Sequence, residues 1–119
     1  MTKHVYWILE LSIKDGHLDQ LKEIMEEMST ATKKDEPHAL NYEWWISEDE
    51  SACHIFERYE DSAAVMVHLG NFGSKFMERF MSHVDPTGFK VYGDASDEVK
   101  AALTGFGPQF LTQLGGFTR

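Results

Sequence analysis

Val5-Tyr6-Trp7-Ile8-Leu9-Glu10-Leu11-Ser12-Ile13 alternates with a period of two. Val5, Trp7, Leu9, Leu11 and Ile13 form one apolar row, which predicts a strand with that row facing a core. The opposite row, Tyr6, Ile8, Glu10 and Ser12, is apolar in its first half. A strand that is apolar on both faces is covered on both faces. The same pattern returns in Leu40-Asn41-Tyr42-Glu43-Trp44-Trp45-Ile46-Ser47, a second predicted strand. Leu40, Tyr42, Trp44 and Ile46 share one face there, and Asn41, Glu43, Trp45 and Ser47 the other. Adjacent Trp44 and Trp45 must point to opposite sides.

The segments between these strands read as helices and turns. Lys14-Asp15-Gly16 is a turn, and Leu18, Leu21, Ile24, Met25 and Met28 form one helical stripe running to about Lys34. Asp35-Glu36-Pro37 stops it, because proline disfavours helix in the residue before it. Ser51 to Tyr59 is a third strand, joined to the second by the acidic turn Glu48-Asp49-Glu50. Asp61 or Ser62 caps a second helix carrying Ala63, Ala64, Val67 and His68, which Gly70 and Gly73 are expected to interrupt. A further helical stretch holds Phe72, Phe76, Met77, Phe80 and Met81. Asp85-Pro86-Thr87-Gly88 reads as a turn and Phe89 to Tyr92 as a fourth strand. The order βαββαβ is the ferredoxin-like pattern, an α+β fold with an antiparallel sheet. Beyond it, Asp97 to Leu103 reads as a short helix and Pro108 to Phe117 as an extended segment. Phe106, Phe110, Leu111, Leu114 and Phe117 are too apolar for a free tail, so it is expected to dock on the domain or on a partner subunit.

At 119 residues, 42% hydrophobic and 26% charged, the chain reads as one folded domain. Eleven Lys and Arg against 20 Asp and Glu give a net charge of -9. A field of that sign repels phosphate backbones and anionic lipid, which argues against nucleic-acid and membrane partners. No apolar run approaches the roughly 20 residues that span a bilayer. The first residues lead straight into the alternating segment without a signal-peptide core, and Cys53 stands alone. A reducing cytoplasm is the expected location.

The chemistry-bearing residues narrow the options. The six histidines show no HxxxH spacing, and no CxxC occurs, so no metal is expected. A metal site of His54, His68 and Glu57 would have to be assembled by the fold; the plainer reading is unrelated residues. Glycine-rich phosphate loops are absent. Cys53 in mid-strand reads as a small core residue. Trp7, Tyr42, Trp44, Trp45, Phe56 and Tyr59 build either core and interface or a flat pocket for a ring-shaped ligand. Asn41, His54 and Arg58 interleave polar groups with those rings. His68 lies on the apolar side of its helix and is the best-placed general base, unless it is a satisfied core histidine.

Glu57-Arg58-Tyr59-Glu60-Asp61-Ser62-Ala63-Ala64-Val65-Met66-Val67-His68 resembles the E-x-[YW]-x-[DS]-x-x-A-x-x-x-H signature of the antibiotic biosynthesis monooxygenase domain family. Lys14-Asp15-Gly16 resembles that family's turn before the first helix. Asp35-Glu36-Pro37-His38-Ala39-Leu40-Asn41-Tyr42 is similar to its E-P-G-x-x-x-Y lead into the second strand, with His38 in place of glycine. The likeness covers about residues 4–93 of a single domain, with a C-terminal helix and extended tail over about 94–119. It implies a dimeric α+β barrel, hence a homodimer. It also implies oxygenation of a quinol or polycyclic phenol by molecular oxygen, without metal, flavin or other cofactor. His68 falls on the motif histidine and would be the base. From strand placement, Asn41, Trp44 and Trp45 would position the ring, and Arg58 would stabilise a phenolate. Haem-degrading relatives resemble an Asn, Trp, His set, and no Asn lies between Val5 and Ile13. The alternative functions are a non-catalytic protein that binds a small apolar molecule, and a module whose aromatics only build a dimer.

Overall fold

The strand that is apolar on both faces occupies the middle of the sheet. In the computed structural model, which describes residues 2–119, β1 (Val5–Ile13) lies between β3 (Ala52–Tyr59) and β4 (Val84–Gly93), antiparallel to both. β2 (Ala39–Ile46) flanks β3, and β5 (Gln109–Leu111) runs parallel to β4, giving the order β2-β3-β1-β4-β5. The sheet thus has five strands where the sequence predicts four. The βαββαβ order holds, with α1 (Leu18–Asp35), α2 (Ser62–Lys75) and the short α3 (Met77–Met81) between the strands.

Register assigns every strand residue to a face, because directly opposed residues point the same way. Trp7 opposes Glu57 and Val91, Leu9 opposes Ile55 and Phe89, and Tyr42 opposes Glu57. These belong to the inner face, beneath the helices. Tyr6 opposes Arg58 and Tyr92, Ile8 opposes Phe56, and Asn41 opposes Arg58. These belong to the outer face.

The inner face and the helices enclose a core in two adjoining clusters. One gathers Val5, Trp7, Tyr59, Val65, Phe89, Val91, Val99 and Leu103; the other gathers Leu11, Leu21, Ile24, Met28, Ile55 and Phe80. The predicted α1 stripe supplies Leu21, Ile24 and Met28 to it, while Leu18 and Met25 stay partly exposed.

Four expectations change. First, α2 continues through Gly70 and Gly73 to Lys75, because Leu69 and Phe72 pack inward and outweigh a propensity cost of about 1 kcal/mol per glycine. Second, Asp85-Pro86-Thr87-Gly88 is part of β4, not a turn. The register slips between Glu10 and Leu11, opposite Gly88 and Pro86, and such a bulge is where a strand tolerates proline. Third, a shift between Ala39 and Asn41 takes Leu40 out of the inner row of β2, leaving it exposed. Fourth, only Gln109–Leu111 of the final segment forms a strand, and Leu114 and Phe117 are exposed.

The C-terminal extension still docks where it matters. Ser96 Oγ caps α4 (Asp97–Leu103) by accepting from Val99 N–H at 3.2 Å, and Val99 and Leu103 are fully buried. A 3-10 turn, Thr104–Phe106, then brings Phe106 edge-on to Phe89. Asp61 caps α2 in the same way, accepting from Ala64 N–H at 2.9 Å. Among the described residues no helix is long and apolar enough to cross a membrane.

Gly93 marks a close backbone approach. Its φ is +102°, and an added Cβ would stand 2.3 Å from the His4 carbonyl oxygen. Gly93→Ala is expected to cost about 1–3 kcal/mol in urea unfolding. Gly105→Ala, where a Cβ meets nothing within 4 Å, is expected to stay within about 0.5 kcal/mol of wild type.

Candidate functional site

Three ionisable side chains meet between the sheet and the helices, each from a different element. Glu57 comes from the inner row of β3, His68 from the middle of α2, and Glu36 from the residue that ends α1. All three are buried. His68 Nδ1 is 3.0 Å from Glu36 Oε1 and 3.3 Å from Oε2, and Nε2 is 3.2 Å from Glu57 Oε1. Each ring nitrogen therefore faces its own carboxylate.

The two carboxylates are held differently. Glu57 also accepts from Trp7 Nε1–H at 2.8 Å and from the Tyr59 hydroxyl at 2.6 Å. Glu36 accepts from Asn71 Nδ2–H at 3.3 Å, and beyond that depends on His68. Burial pushes the His68 pKa down, but hydrogen bonds and charge from Glu36 and Glu57 outweigh it and carry it from 6.5 up to about 9. At neutral pH the ring is an imidazolium. Burial, and then the charge of Glu57, hold the phenols of Tyr42 and Tyr59 well above their ordinary value.

His68 and Glu57 form the polar end of a cavity of about 50 Å³ walled by Trp7, Leu9, Tyr42, Phe72, Phe80 and Phe89. Leu103 and Phe106 from the C-terminal extension complete its wall. On the Glu36 side of His68 lies a separate cleft of about 10 Å³, lined by Thr32, Glu36, Asn71 and Lys75 among others. An apolar groove of about 170 Å³ lies between α1 and the β2 edge, against Trp44 and Trp45.

Of the residues picked from sequence, the structure brings His68 into the ring-lined cavity and separates the others from it. Trp44 is on the inner face but packs edge-on to Phe80 at 5.7 Å and lines the groove. Asn41, Trp45 and Arg58 are on the outer face, across the sheet from His68. Arg58 Nε–H donates to Asn41 Oδ1 at 2.7 Å, and Trp45 is 60% exposed. The physical reason is register: Arg58 sits between Glu57 and Tyr59, and both of those point inward. His54 is also on the outer face, beside Glu10, so it does not join His68 and Glu57. Burial raises the Cys53 thiol to about 11, which makes it a poor nucleophile.

Sequence reasoning missed Glu57 and Glu36 as a pair. Glu57 left a signal, since a carboxylate in the row of Ile55 and Tyr59 is a charge on a buried face. Glu36 left none, because beside Pro37 it reads as a helix stop. Its partner lies 32 residues away.

A family profile described as Antibiotic biosynthesis monooxygenase matches residues 5–80. MupZ from Pseudomonas fluorescens superposes with a TM-score of 0.88 at 24% identity, over 100% of this chain and 91% of that one. PA3566 from Pseudomonas aeruginosa gives 0.61 at 17% identity, over 76% and 91%. A structure named antibiotic biosynthesis monooxygenase gives 0.62 at 19% identity, over 73% and 92%. These likenesses concern the fold. No curated protein matches the chain.

The raised His68 pKa fixes a sign for stability. The folded value exceeds the unfolded one, so the contribution is complete below about pH 6.5 and is lost as pH rises through about 9. Urea unfolding across that window is expected to lose up to about 3 kcal/mol. A flat profile would show that the imidazolium is not favoured by folding.

Proposed function

The chain belongs to the antibiotic biosynthesis monooxygenase family, and from that premise we propose that it oxidises a small hydroxylated aromatic, a quinol or polycyclic phenol, with molecular oxygen and no cofactor. The observation that carries this reading is the charged His68 at the one polar end of a ring-walled cavity. An electron-rich ring reduces oxygen most readily as its aryloxide. Such an anion needs a dry site and a fixed positive partner, and His68 supplies that partner.

The overall step balances for a phenol. The ring and one O₂ give a quinone and one water. One oxygen atom becomes the new carbonyl, and the other leaves with the protons of the O–H and the replaced C–H. The expected role of His68 as a free base changes at neutral pH, because its ring starts protonated. Its Nε2–H, shared with Glu57 Oε1 at 3.2 Å, first holds the aryloxide and then protonates the departing hydroxide. The hydroxyl of the next substrate returns that proton. Glu57, fixed by Trp7 and Tyr59, keeps Nε2 charged and aimed.

Size sets a condition on this reading. An apolar cavity of about 150 Å³ accommodates benzene, three times the roughly 50 Å³ here. A substrate ring therefore enters with movement of the wall. The wall residue best suited to move is Phe106, between Gly105 and the left-handed Gly107.

Chelator-treated protein should consume oxygen with naphthoquinols, catechols or anthrone-like phenols above their autoxidation. His68→Ala should reduce that uptake about 100-fold or more, the usual scale for acid–base catalysis. Full uptake by the variant would exclude this mechanism, and tight binding without uptake would make the protein a ligand binder.

A second copy of the chain is the proposed partner. Tyr6, Ile8, Phe56 and Tyr92 make an apolar centre on the outer face that no helix covers, and two sheets packed face to face would bury it. Sedimentation should show a dimer that Phe56→Arg converts to monomer; a monomeric wild type would refute the pairing. A cytoplasmic location suits the single buried thiol, Cys53.

A further inference from the structure

His68 stands between two separate spaces. Its ring lines both the ring-walled cavity and the small cleft on the far side. Nε2 points to Glu57, which borders the cavity. Nδ1 points to Glu36, which borders the cleft and not the cavity. Glu36 is therefore beyond reach of a substrate ring, yet it makes the shortest contact to His68.

The position is unfavourable for a carboxylate. Glu36 closes the C-terminal end of α1, where the helix dipole disfavours negative charge. It is buried, and the donors it has are His68 and Asn71. Glu57 is different, because Trp7 and Tyr59 satisfy it without His68. A carboxylate at a helix's negative end, out of water and dependent on one imidazole, is poorly explained by stability alone.

We infer that Glu36 is a positioning residue for the proposed oxidation: by accepting from Nδ1–H it fixes which nitrogen of His68 works and holds the ring charged. Nδ1–H stays on Glu36 through the cycle, so the proton that leaves and returns is the one on Nε2. A carboxylate opposite the non-reacting nitrogen of an imidazole does this in other acid–base sites. The inference rests on the reading of His68 given above. The groups facing the ring are Glu36 from the end of α1, Glu57 and Tyr59 from β3, Tyr42 from β2, and Asn71 and Phe72 from α2 itself. Asp35 and Lys75 are the other charged residues that line the cleft.

The test reads the imidazole directly. The ring nitrogens of His68 are followed by NMR from pH 5 to 10 in the full chain, as wild type and as Glu36→Gln. Glutamine keeps the shape and an acceptor oxygen but loses the charge. The wild-type midpoint is expected near 9, and Glu36→Gln should lower it by about one unit or more. In oxygen uptake, kcat at pH 8 should fall about twofold or more with KM little changed, since about half or more of the ring would then be neutral. Glu36→Asp should give intermediate values in both readouts, and it decides the matter if Glu36→Gln does not fold. An unchanged His68 midpoint in either folded variant overturns the assignment. If the wild type consumes no oxygen, the oxidation reading fails alone, and the NMR arm still decides whether Glu36 controls His68.

Discussion

Two carboxylates and an imidazole share one pocket out of water, and the interior is arranged around satisfying them. Removing charge from water costs several kcal/mol per ion even after relaxation. That cost is bearable here because each oxygen has a donor. Trp7 and Tyr59 are large core residues whose polar atoms converge on Glu57. They fill the core and hydrogen-bond Glu57 together, which explains why rings with a polar handle stand where leucine or phenylalanine would pack as well. Replacing such a cluster with hydrocarbon is often neutral or stabilising. A ligand role for the charged histidine, as proposed, would account for its presence.

The sheet separates the charged cluster from the apolar centre of the outer face. Alternation along β1 sends Trp7 inward to the charged cluster and Tyr6 outward to stack on Tyr92 at 5.6 Å. β3 does likewise, with Glu57 inward and Phe56 and Arg58 outward. One set of strands therefore builds two unlike surfaces, an inner one that is closed and an outer one that is apolar at its centre with a polar border. The helices cover the first, and a second sheet of the same shape would suit the other.

Much of this was legible in the chain. Period-two rows located β1 and β2, the acidic turn after β2 pointed to β3 as its hairpin partner, a 3.6-residue stripe located α1, and of Asp61 and Ser62 it is Asp61 that caps α2. Local pattern failed where tertiary contacts outweighed it. Gly70 and Gly73 carry little helix propensity, yet the inward packing of Leu69 and Phe72 holds α2 straight through them. Asp85-Pro86-Thr87-Gly88 has turn composition, yet pairing with β1 draws it into β4 with a bulge. At the site, His68 was legible because a histidine on an apolar stripe is conspicuous. Asn41 and Arg58 were chosen for their chemistry without their face being fixed, and strand alternation puts them behind the sheet. Glu36 was invisible, since only the fold joins the end of α1 to the middle of α2.

The C-terminal extension bears on function through the same geometry. A βαββαβ core alone would leave the Phe89 end of the inner cavity open between α2 and β4. α4 and the turn after it cover that end, and Leu103 and Phe106 become part of the cavity wall. Leu103 is anchored, being fully buried in the core. Phe106 is held more loosely, on a three-residue turn that ends in left-handed Gly107. On the proposed reading, a wall with one anchored member and one on a short turn would admit a ring if Phe106 turned aside.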